Sequence, residues 1–210
     1  LSSMGSSGYT IVAHELAHQW YGDSLSPQRW RDLWLNEGFA TFAELIYLRE
    51  RENLFPGAAA SNLRSRYRAA KEATGTLVLE DTTNVGNMFD GSRVYAKGAM
   101  VLYMLEYVMG DSLFKETLTE YAADPAVKYG TAVTADFQRV AETVSGMNLD
   151  TFFSQWVTTG TGYPTYGVSS TWEPISGGYR VSVTVSQDQT QPQSNVSAFD
   201  MPAEISVVAE

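Results

Sequence analysis

Cysteine is absent from this 210-residue sequence, and histidine occurs only twice. The first absence excludes disulfide bonds, thiolate metal sites and cysteine nucleophiles. Because histidine is so scarce, any metal site or acid–base chemistry must use His14, His18 or carboxylates. The sequence therefore confines a candidate functional site to very few side chains.

Basic residues and long apolar runs are also scarce. Fourteen Lys and Arg stand against 24 Asp and Glu, which gives a formal net charge of −10. Such a chain repels phosphate backbones and anionic lipid, so we expect no nucleic-acid partner. The longest uninterrupted apolar run is Ala99–Leu105, far shorter than the roughly 20 residues of a membrane helix. We therefore expect no membrane span, and the first residues carry no signal-peptide pattern.

Hydrophobic periodicity predicts that the chain is mainly helical up to about residue 160. Thr134 is the expected N-cap of one helix, and Thr76–Gly91 is expected to be an irregular connection because it is rich in Thr, Asn, Asp and Gly. The aromatic residues expected in the core are Trp20, Trp30, Trp34, Phe39 and Phe42. The predicted helices are Thr10–Tyr21, Asp32–Glu52, Gly57–Lys71, Val94–Met109, Ser112–Ala123, Thr134–Ser145 and Leu149–Val157.

The character of the sequence changes near Thr161. Alternating apolar and polar residues predict half-buried strands at Tyr166–Trp172, Tyr179–Val185 and Ile205–Val208. We expect an α+β fold with a helical domain over residues 1–160 and a β-strand region over 161–210. The second region is too short to close a β-sandwich alone, since about seven strands are usual. It must pack on the helices or belong to something larger.

His14, Glu15 and His18 form an HExxH pattern inside the first predicted helix. Because residues four apart lie on one helix face, both imidazoles can reach a single zinc ion. Glu15 lies beside them and can act as general base on a water whose pKa the zinc lowers. Two surface histidines with an incidental glutamate would give the same pattern, but this spacing rarely arises by chance, so we favour a metal site.

The third zinc ligand must be a carboxylate, because the sequence has no third histidine and no cysteine. The nearby candidates are Asp23, Asp32, Glu37 and Glu44. Glu37 and Glu44 share one face of the second predicted helix with apolar residues, where an unpaired carboxylate is costly to bury. We expect one of the two to bind the metal and the other to hydrogen-bond an imidazole.

Two segments carry a family resemblance, His14–Asp23 with its HExxH pattern and Trp30–Ala40 with its Asn-Glu-Gly triplet. Eighteen residues separate His18 from Glu37. With this spacing the sequence resembles the aminopeptidase N type of gluzincin zinc metallopeptidase. The resemblance implies one zinc per chain, peptide substrates, and the helical lobe of a thermolysin-like domain followed by the start of a β-sandwich. The roles that it implies are zinc ligands His14, His18 and Glu37, general base Glu15, and imidazole partner Glu44.

A further segment, Val94–Ala99, resembles the family's Tyr-x-Lys-Gly stretch. The tyrosine of that stretch stabilises the oxyanion of the tetrahedral intermediate, which needs a donor besides zinc. The resemblance therefore implies this catalytic role for Tyr95. A tyrosine that merely packs at the start of a core helix is the alternative.

The sequence departs from the family pattern before His14. The family carries a Gly-x-Met-Glu-Asn type motif there, whose glutamate binds the substrate's free amino group. Only thirteen residues precede His14, and none of the first eight is acidic. We therefore expect a fragment of a longer enzyme, whose missing N-terminal domain packs on this chain.

Other functions stay open at this point. A zinc endopeptidase, an epoxide-hydrolysing relative and an inactive zinc-binding fragment would share the same residues. The ratio of four Lys to ten Arg, the absence of cysteine and an acidic Ser/Thr/Gln-rich tail favour a secreted or cell-surface location in a bacterium over a cytoplasmic one.

Overall fold

The chain was analysed as a computed structural model, and the structure describes residues 5–189, 191 and 194–206. The fold is α+β, with helices up to residue 158 and a long hairpin after residue 164. The α-helices are α1 (Ser6–Ala17), α2 (Trp34–Glu50), α3 (Ala58–Lys71), α4 (Val85–Met88), α5 (Gly98–Met109), α6 (Asp111–Ala123), α7 (Thr134–Ser145) and α8 (Asp150–Phe153). The strands are β1 (Leu25–Pro27), β2 (Gly130–Ala132), β3 (Thr165–Ile175) and β4 (Gly178–Asp188).

Three further segments have helical turns of another kind. A 3₁₀ turn at Trp30–Asp32 leads into α2, and π-helical turns at Gly91–Lys97 and Ser154–Thr158 precede α5 and follow α8. The sequence predicted one continuous helix over Val94–Met109. The π-helical turn instead starts after Asp90, whose carboxylate accepts backbone hydrogen bonds from the first turn.

Helix α2 lies at the centre of the helical part, which comprises residues 5–158. It packs against α1, α3, α5 and the first π-helical turn. The sequence predicted an amphipathic helix here, yet most of its side chains are buried. Its buried residues include the two carboxylates Glu37 and Glu44, so these must be paired or bind a cation.

Aromatic rings fill the space between α2, α6, α7 and α8. Phe39 lies at the middle of this cluster, with its ring centroid 4.9 Å from that of Phe137 and 5.6 Å from that of Trp34. Both Trp34 and Phe137 are 0% exposed. Edge-on ring contacts of this kind add to the stabilisation from apolar burial. They hold α2 firmly in one position.

The crossing of α2 and α5 depends on two glycines. A Cβ atom added at Gly98 would lie 2.9 Å from the Cα atom of Gly38, and one added at Gly38 would lie 3.0 Å from the Cα atom of Gly98. The two helices can approach this closely only because neither residue has a side chain. The contact brings the π-helical turn, with Tyr95, beside the first turn of α2.

Thr134 is not the N-cap of α7, as the sequence predicted, but its first helical residue after Val133. Its backbone N–H and its hydroxyl both donate to Asp32 Oδ1, at 3.1 and 2.7 Å. The Trp34 indole N–H in turn donates to the Thr134 hydroxyl at 3.0 Å. Thr134 therefore forms hydrogen bonds at the start of α7, but with the Asp32 carboxylate, which is distant in sequence. These bonds link the segment before α2 to the first turn of α7.

Several other expectations were wrong in detail. Helix α1 covers Ser6–Ala17 rather than Thr10–Tyr21, and the Thr76–Gly91 connection contains the one-turn helix α4. Trp20 and Trp30 are 51% and 58% exposed and are not core residues. Among the described residues, no helix combines the length and apolar character that a membrane span requires.

Strands β3 and β4 pair antiparallel over eleven residues each. Tyr166, Val168 and Trp172 share one face of this hairpin with apolar residues of β4, while the other face is mostly polar. The sequence predicted half-buried strands, but nearly all residues of both strands are exposed. The third predicted strand was Ile205–Val208. Ile205 is not in a strand, and Val207 and Val208 lie outside the described residues.

Candidate metal centre

The two histidines lie at the C-terminal end of α1. His14 is in the last turn, and His18 is the residue that follows the helix. Their ring centroids are 4.8 Å apart, and the ring planes are nearly perpendicular. Both side chains are partly buried, with 13% and 21% of their surface exposed. The i, i+4 spacing thus places both imidazoles on the side of α1 that faces α2.

Glu37 lies opposite them in the first turn of α2. Its Oε2 atom is 3.3 Å from His14 Nε2 and 3.5 Å from His18 Nε2. Its side chain is only 10% exposed. In the described part of the chain, these three residues form the one group of histidine, cysteine and acidic donors close enough to share a metal ion.

The second nitrogen of each imidazole faces a hydrogen-bond acceptor. His14 Nδ1 is 3.1 Å from Glu44 Oε1, and His18 Nδ1 is 3.0 Å from the backbone carbonyl of Tyr21. A carboxylate and a carbonyl can only accept, so both Nδ1 atoms carry the proton. When a ring is neutral, it presents the lone pair of Nε2 toward Glu37.

Glu44 is itself fixed by two residues of α3. Arg66 donates to Glu44 Oε2 at 2.7 Å, and Asn62 donates to the same atom at 3.4 Å. Burial alone would raise the pKa of Glu44, but the hydrogen bonds and positive charges of His14 and Arg66 hold it below its usual value. Glu44 therefore stays ionised and keeps the His14 ring oriented.

The donor types and two of their separations suit a zinc ion. Two imidazole nitrogens and a carboxylate oxygen are ordinary zinc ligands, and a catalytic site uses three such ligands with one position open. Bonds of about 2.0–2.1 Å in a tetrahedron separate neighbouring ligand atoms by about 3.3–3.4 Å. The observed separations of 3.3 and 3.5 Å between the Nε2 atoms and Glu37 Oε2 agree with this geometry.

The charges and lone pairs of His14, His18 and Glu37 also favour a bound cation. Three lone pairs converge when both histidines are neutral, and only a proton or a metal ion relieves their repulsion. Burial lowers the pKa of His14, but hydrogen bonds and charges of Glu37 and Glu44 outweigh burial and raise it to about 9. Without a metal the cluster thus takes up a proton, for which a zinc ion can substitute.

Tyr95 and Glu15 border the three donors. The Tyr95 ring stacks on that of His14, with centroids 6.1 Å apart. Burial raises the pKa of Tyr95 to about 12, and the charges of Glu37 and Glu15 and a hydrogen bond with Glu37 add to this effect. The phenol therefore keeps its proton at neutral pH and can donate it in a hydrogen bond. Glu15 is exposed beside His14, so its carboxylate is open to water.

Comparison with known proteins matches residues 2–156 to the Peptidase family M1 domain. The chain belongs to peptidase family M1. The match includes α1, α2 and the π-helical turn, and thus every residue of the cluster described above. It ends close to where the helical part ends.

Similar M1 proteins include aminopeptidase N of Lactococcus lactis subsp. cremoris and probable aminopeptidase 2 of Sulfurisphaera tokodaii. Each is 35% identical to this chain, over 161 and 166 residues. These matches cover 74% and 76% of the chain but only 19% and 21% of the relatives. The chain thus spans about a fifth of the length of the curated relatives it matches.

The structure also resembles the M1 zinc metallopeptidase from Deinococcus radiodurans, at 28% identity and a TM-score of 0.61. The similarity covers 70% of this chain and 32% of that protein. Zinc named for this relative agrees with the donor set at His14, His18 and Glu37. The α+β fold of an M1 catalytic domain is therefore the fold of this chain.

The M1 chain does not bring every candidate ligand to the cluster. Asp32 is buried against Thr134, and Asp23 is exposed and accepts a hydrogen bond from Gln19 at 3.0 Å. These two of the four candidate carboxylates therefore lie elsewhere. The other two, Glu37 and Glu44, contact the two sides of the His14 ring.

Sequence reasoning missed Arg66 and Asn62, which hold Glu44. No pattern links α3 to the HExxH segment, although both residues lie four apart on one helix face. It also missed the glycine contact between α2 and α5. The glycines of the Asn-Glu-Gly and Tyr-x-Lys-Gly segments were visible in the sequence, but nothing indicated that they touch.

Proposed function

We propose that this chain carries the catalytic centre of a zinc aminopeptidase, which removes N-terminal residues from peptides. His14, His18 and Glu37 hold one zinc ion. The convergence of two imidazole nitrogens and one carboxylate oxygen at 3.3 and 3.5 Å carries this proposal. The names of the M1 relatives support aminopeptidase activity, which we assign to the longer protein of which such a chain is a part.

In this proposal each residue around the cluster has a separate task. A zinc ion held by His14, His18 and Glu37 would supply Lewis-acid chemistry, polarising the scissile carbonyl and lowering the pKa of a water molecule toward neutrality. Glu15 accepts that proton and then delivers it to the nitrogen of the leaving amine. Tyr95 donates a hydrogen bond to the carbonyl oxygen as negative charge develops there. Glu44 and the Tyr21 carbonyl keep the two imidazoles oriented.

The Glu15→Gln variant tests the catalytic role. Glutamine has the same shape but cannot accept the proton, so hydrolysis of alanyl and leucyl chromogenic amides should fall by about 10²–10⁴-fold. Zinc content, measured by elemental analysis, should not change, because Glu15 is not a ligand in this proposal. Glu72→Gln, at an exposed glutamate on the end of α3, is the matched control.

Three results would separate the possibilities. An unchanged rate in Glu15→Gln contradicts the proposed general base, and loss of zinc in this variant contradicts the ligand set. If the unaltered chain holds zinc but cleaves neither amide, the chain alone is not an aminopeptidase and residues outside it are needed. Chelation followed by zinc return distinguishes this outcome from simple loss of metal.

The outer face of α1 fits a contact with another part of the longer protein. Ile11, Val12 and Leu16 are 62%, 55% and 57% exposed, and Trp20 continues this apolar face beyond the helix. Contiguous exposed apolar surface of this kind usually marks an interface. We propose that another domain of the longer protein packs on this face, and that a domain boundary lies near Thr161, between residues 1–160 and 161–210.

A further inference from the structure

A cavity of about 210 Å³ lies between α3, α5 and the segment that leads into β3. None of the metal-centre residues lines it. Its wall is largely apolar and aromatic, with contributions from Tyr67, Ala70, Met100, Met104, Tyr163 and Pro164. An apolar cavity of about 150 Å³ is already large enough to hold a benzene molecule. This cavity therefore has room for an aromatic ring with a short chain.

Of the charged side chains that line the cavity, Lys97 is the most deeply buried. The residue is only 7% exposed, and its ammonium donates one hydrogen bond, at 3.3 Å, to the carbonyl of Gly75. Within residues 5–189, 191 and 194–206 it forms no ion pair. Burial and the nearby Arg93 charge lower the pKa of Lys97 to about 8. A buried ammonium without a counter-ion is costly, so an anion at this place would be strongly favoured.

Trp156 also contributes to the wall, and its indole nitrogen is almost wholly inaccessible to solvent. The residue is 5% exposed, and its indole N–H has no hydrogen-bond partner among the described residues. A buried N–H without a partner costs free energy that a ligand acceptor can recover. The cavity thus combines the buried ammonium of Lys97, the less buried ammonium of Lys71 and an indole N–H with a largely aromatic wall, and none of the described residues that line it is acidic.

We propose that this cavity is a binding site for a small apolar carboxylic acid, whose carboxylate pairs with Lys97 and whose ring or alkyl chain fills the space beside Met100 and Trp156. A carboxylate offers the two acceptors that the ammonium and the indole N–H lack. The size of the cavity favours an acid of about ten non-hydrogen atoms over a peptide. The site is independent of the zinc centre and does not rest on the proposed peptidase activity.

Calorimetric titration of the 210-residue chain with 3-phenylpropanoate tests the proposal, with 3-phenylpropanamide as the neutral probe. We expect saturable one-to-one binding of the acid and at least about tenfold weaker binding of the amide, because the amide loses the charged hydrogen bond. A carboxylate can also bind zinc, so the titration is made on zinc-loaded and on chelator-treated chain. Equal affinity in both preparations is the expected result.

Substitutions at the cavity sharpen the test. Lys97→Met keeps the length of the side chain without its charge and should weaken the acid at least about tenfold while leaving the amide unchanged. Trp156→Phe removes the indole N–H together with one ring of the indole and should weaken the acid by a smaller factor. Lys128→Met, at a lysine outside the cavity, should have no effect.

Three outcomes would overturn the proposal. These are equal binding of acid and amide to the unaltered chain, binding of the acid that disappears with the zinc, and no saturation at millimolar acid. If Lys97→Met does not fold, the comparison of acid and amide on the unaltered chain and on Trp156→Phe decides by itself.

Discussion

The helical part and the β3–β4 hairpin differ in how they bury their apolar side chains. In the helical part, Trp34 of α2 is 0% exposed and lies inside a cluster of aromatic rings. In the hairpin, Trp172 of β3 is 70% exposed, and its ring contacts the Tyr179 ring across the strand pair with centroids 5.3 Å apart. The first region buries most of its large apolar side chains within the described chain, and the second does not.

This difference explains why the metal centre can be built in one region alone. Its donors come from α1, the residue that follows α1, and α2, and the groups that orient them come from α2, α3 and the loop after α1. These elements pack on one another without help from the hairpin. A two-stranded ribbon is marginally stable by itself and needs a third strand or another layer. We therefore expect substitutions to act very differently in the two regions.

The largest effect on stability is expected for Phe39→Ala. Removal of a buried ring from the aromatic cluster should lower the free energy of unfolding by about 3–5 kcal/mol, since both apolar burial and ring contacts are lost. Urea unfolding followed by tryptophan fluorescence measures it. A loss below about 1 kcal/mol would contradict the idea that this cluster holds α2 in place.

Gly98→Ala should have the next largest effect. The new methyl group would lie 2.9 Å from the Gly38 Cα atom, so α2 and α5 must move apart, at a cost of about 1–3 kcal/mol. Because Glu37 precedes Gly38, we also expect weaker zinc binding in a chelator competition. Gly91→Ala is the control, since a Cβ atom there meets nothing within 4 Å. Equal behaviour of the two variants would contradict the glycine contact.

Arg66→Gln should weaken zinc binding with little loss of stability. The variant removes the charge that holds Glu44 ionised, so the His14 ring becomes less basic and less ordered, and affinity should fall about 10–100-fold. Competition with a zinc chelator measures it. Arg64→Gln, on the same helix, should leave affinity unchanged, and Arg66→Lys should restore part of it. If both Gln variants bind zinc equally, the Arg66 contact does not support the centre.

The smallest effect is expected for Trp172→Thr in the hairpin. Threonine keeps a high strand propensity, and the tryptophan is mostly exposed, so the helical part should unfold within about 0.5 kcal/mol of the unaltered chain. Zinc affinity should also stay the same. A loss of 2 kcal/mol or more, on the order of a core substitution, would show that the hairpin face is buried in solution.

Much of the candidate metal centre could be predicted, because most of it is encoded by residues that lie close together in the sequence. The spacing of His14 and His18 fixes a helix face, and the scarcity of other ligands leaves only carboxylates for the third position. The Tyr95 segment was recognised by resemblance, but its π-helical turn was not, since apolar periodicity runs smoothly through Val94–Met109.

Features that depend on contacts between residues distant in the sequence could not be predicted from the hydrophobic pattern. Periodicity assigns an apolar face but not what covers it, so the β3–β4 strands were expected to be half-buried and Trp30 to lie in the core. The link from Thr134 to Asp32 joins residues a hundred positions apart and has no local signal beyond a capping preference. The contact of Arg66 with Glu44 is of the same kind.

Zinc content tests the central claim most directly. The chain and its Glu37→Ala variant are dialysed against buffer with a trace of zinc and measured by elemental analysis, with circular dichroism to confirm that both are folded. We predict one zinc per chain for the unaltered sequence and almost none for the variant, since two histidines alone bind weakly. No zinc in the folded unaltered chain, or one zinc in both, would contradict the assignment of His14, His18 and Glu37 as the metal centre.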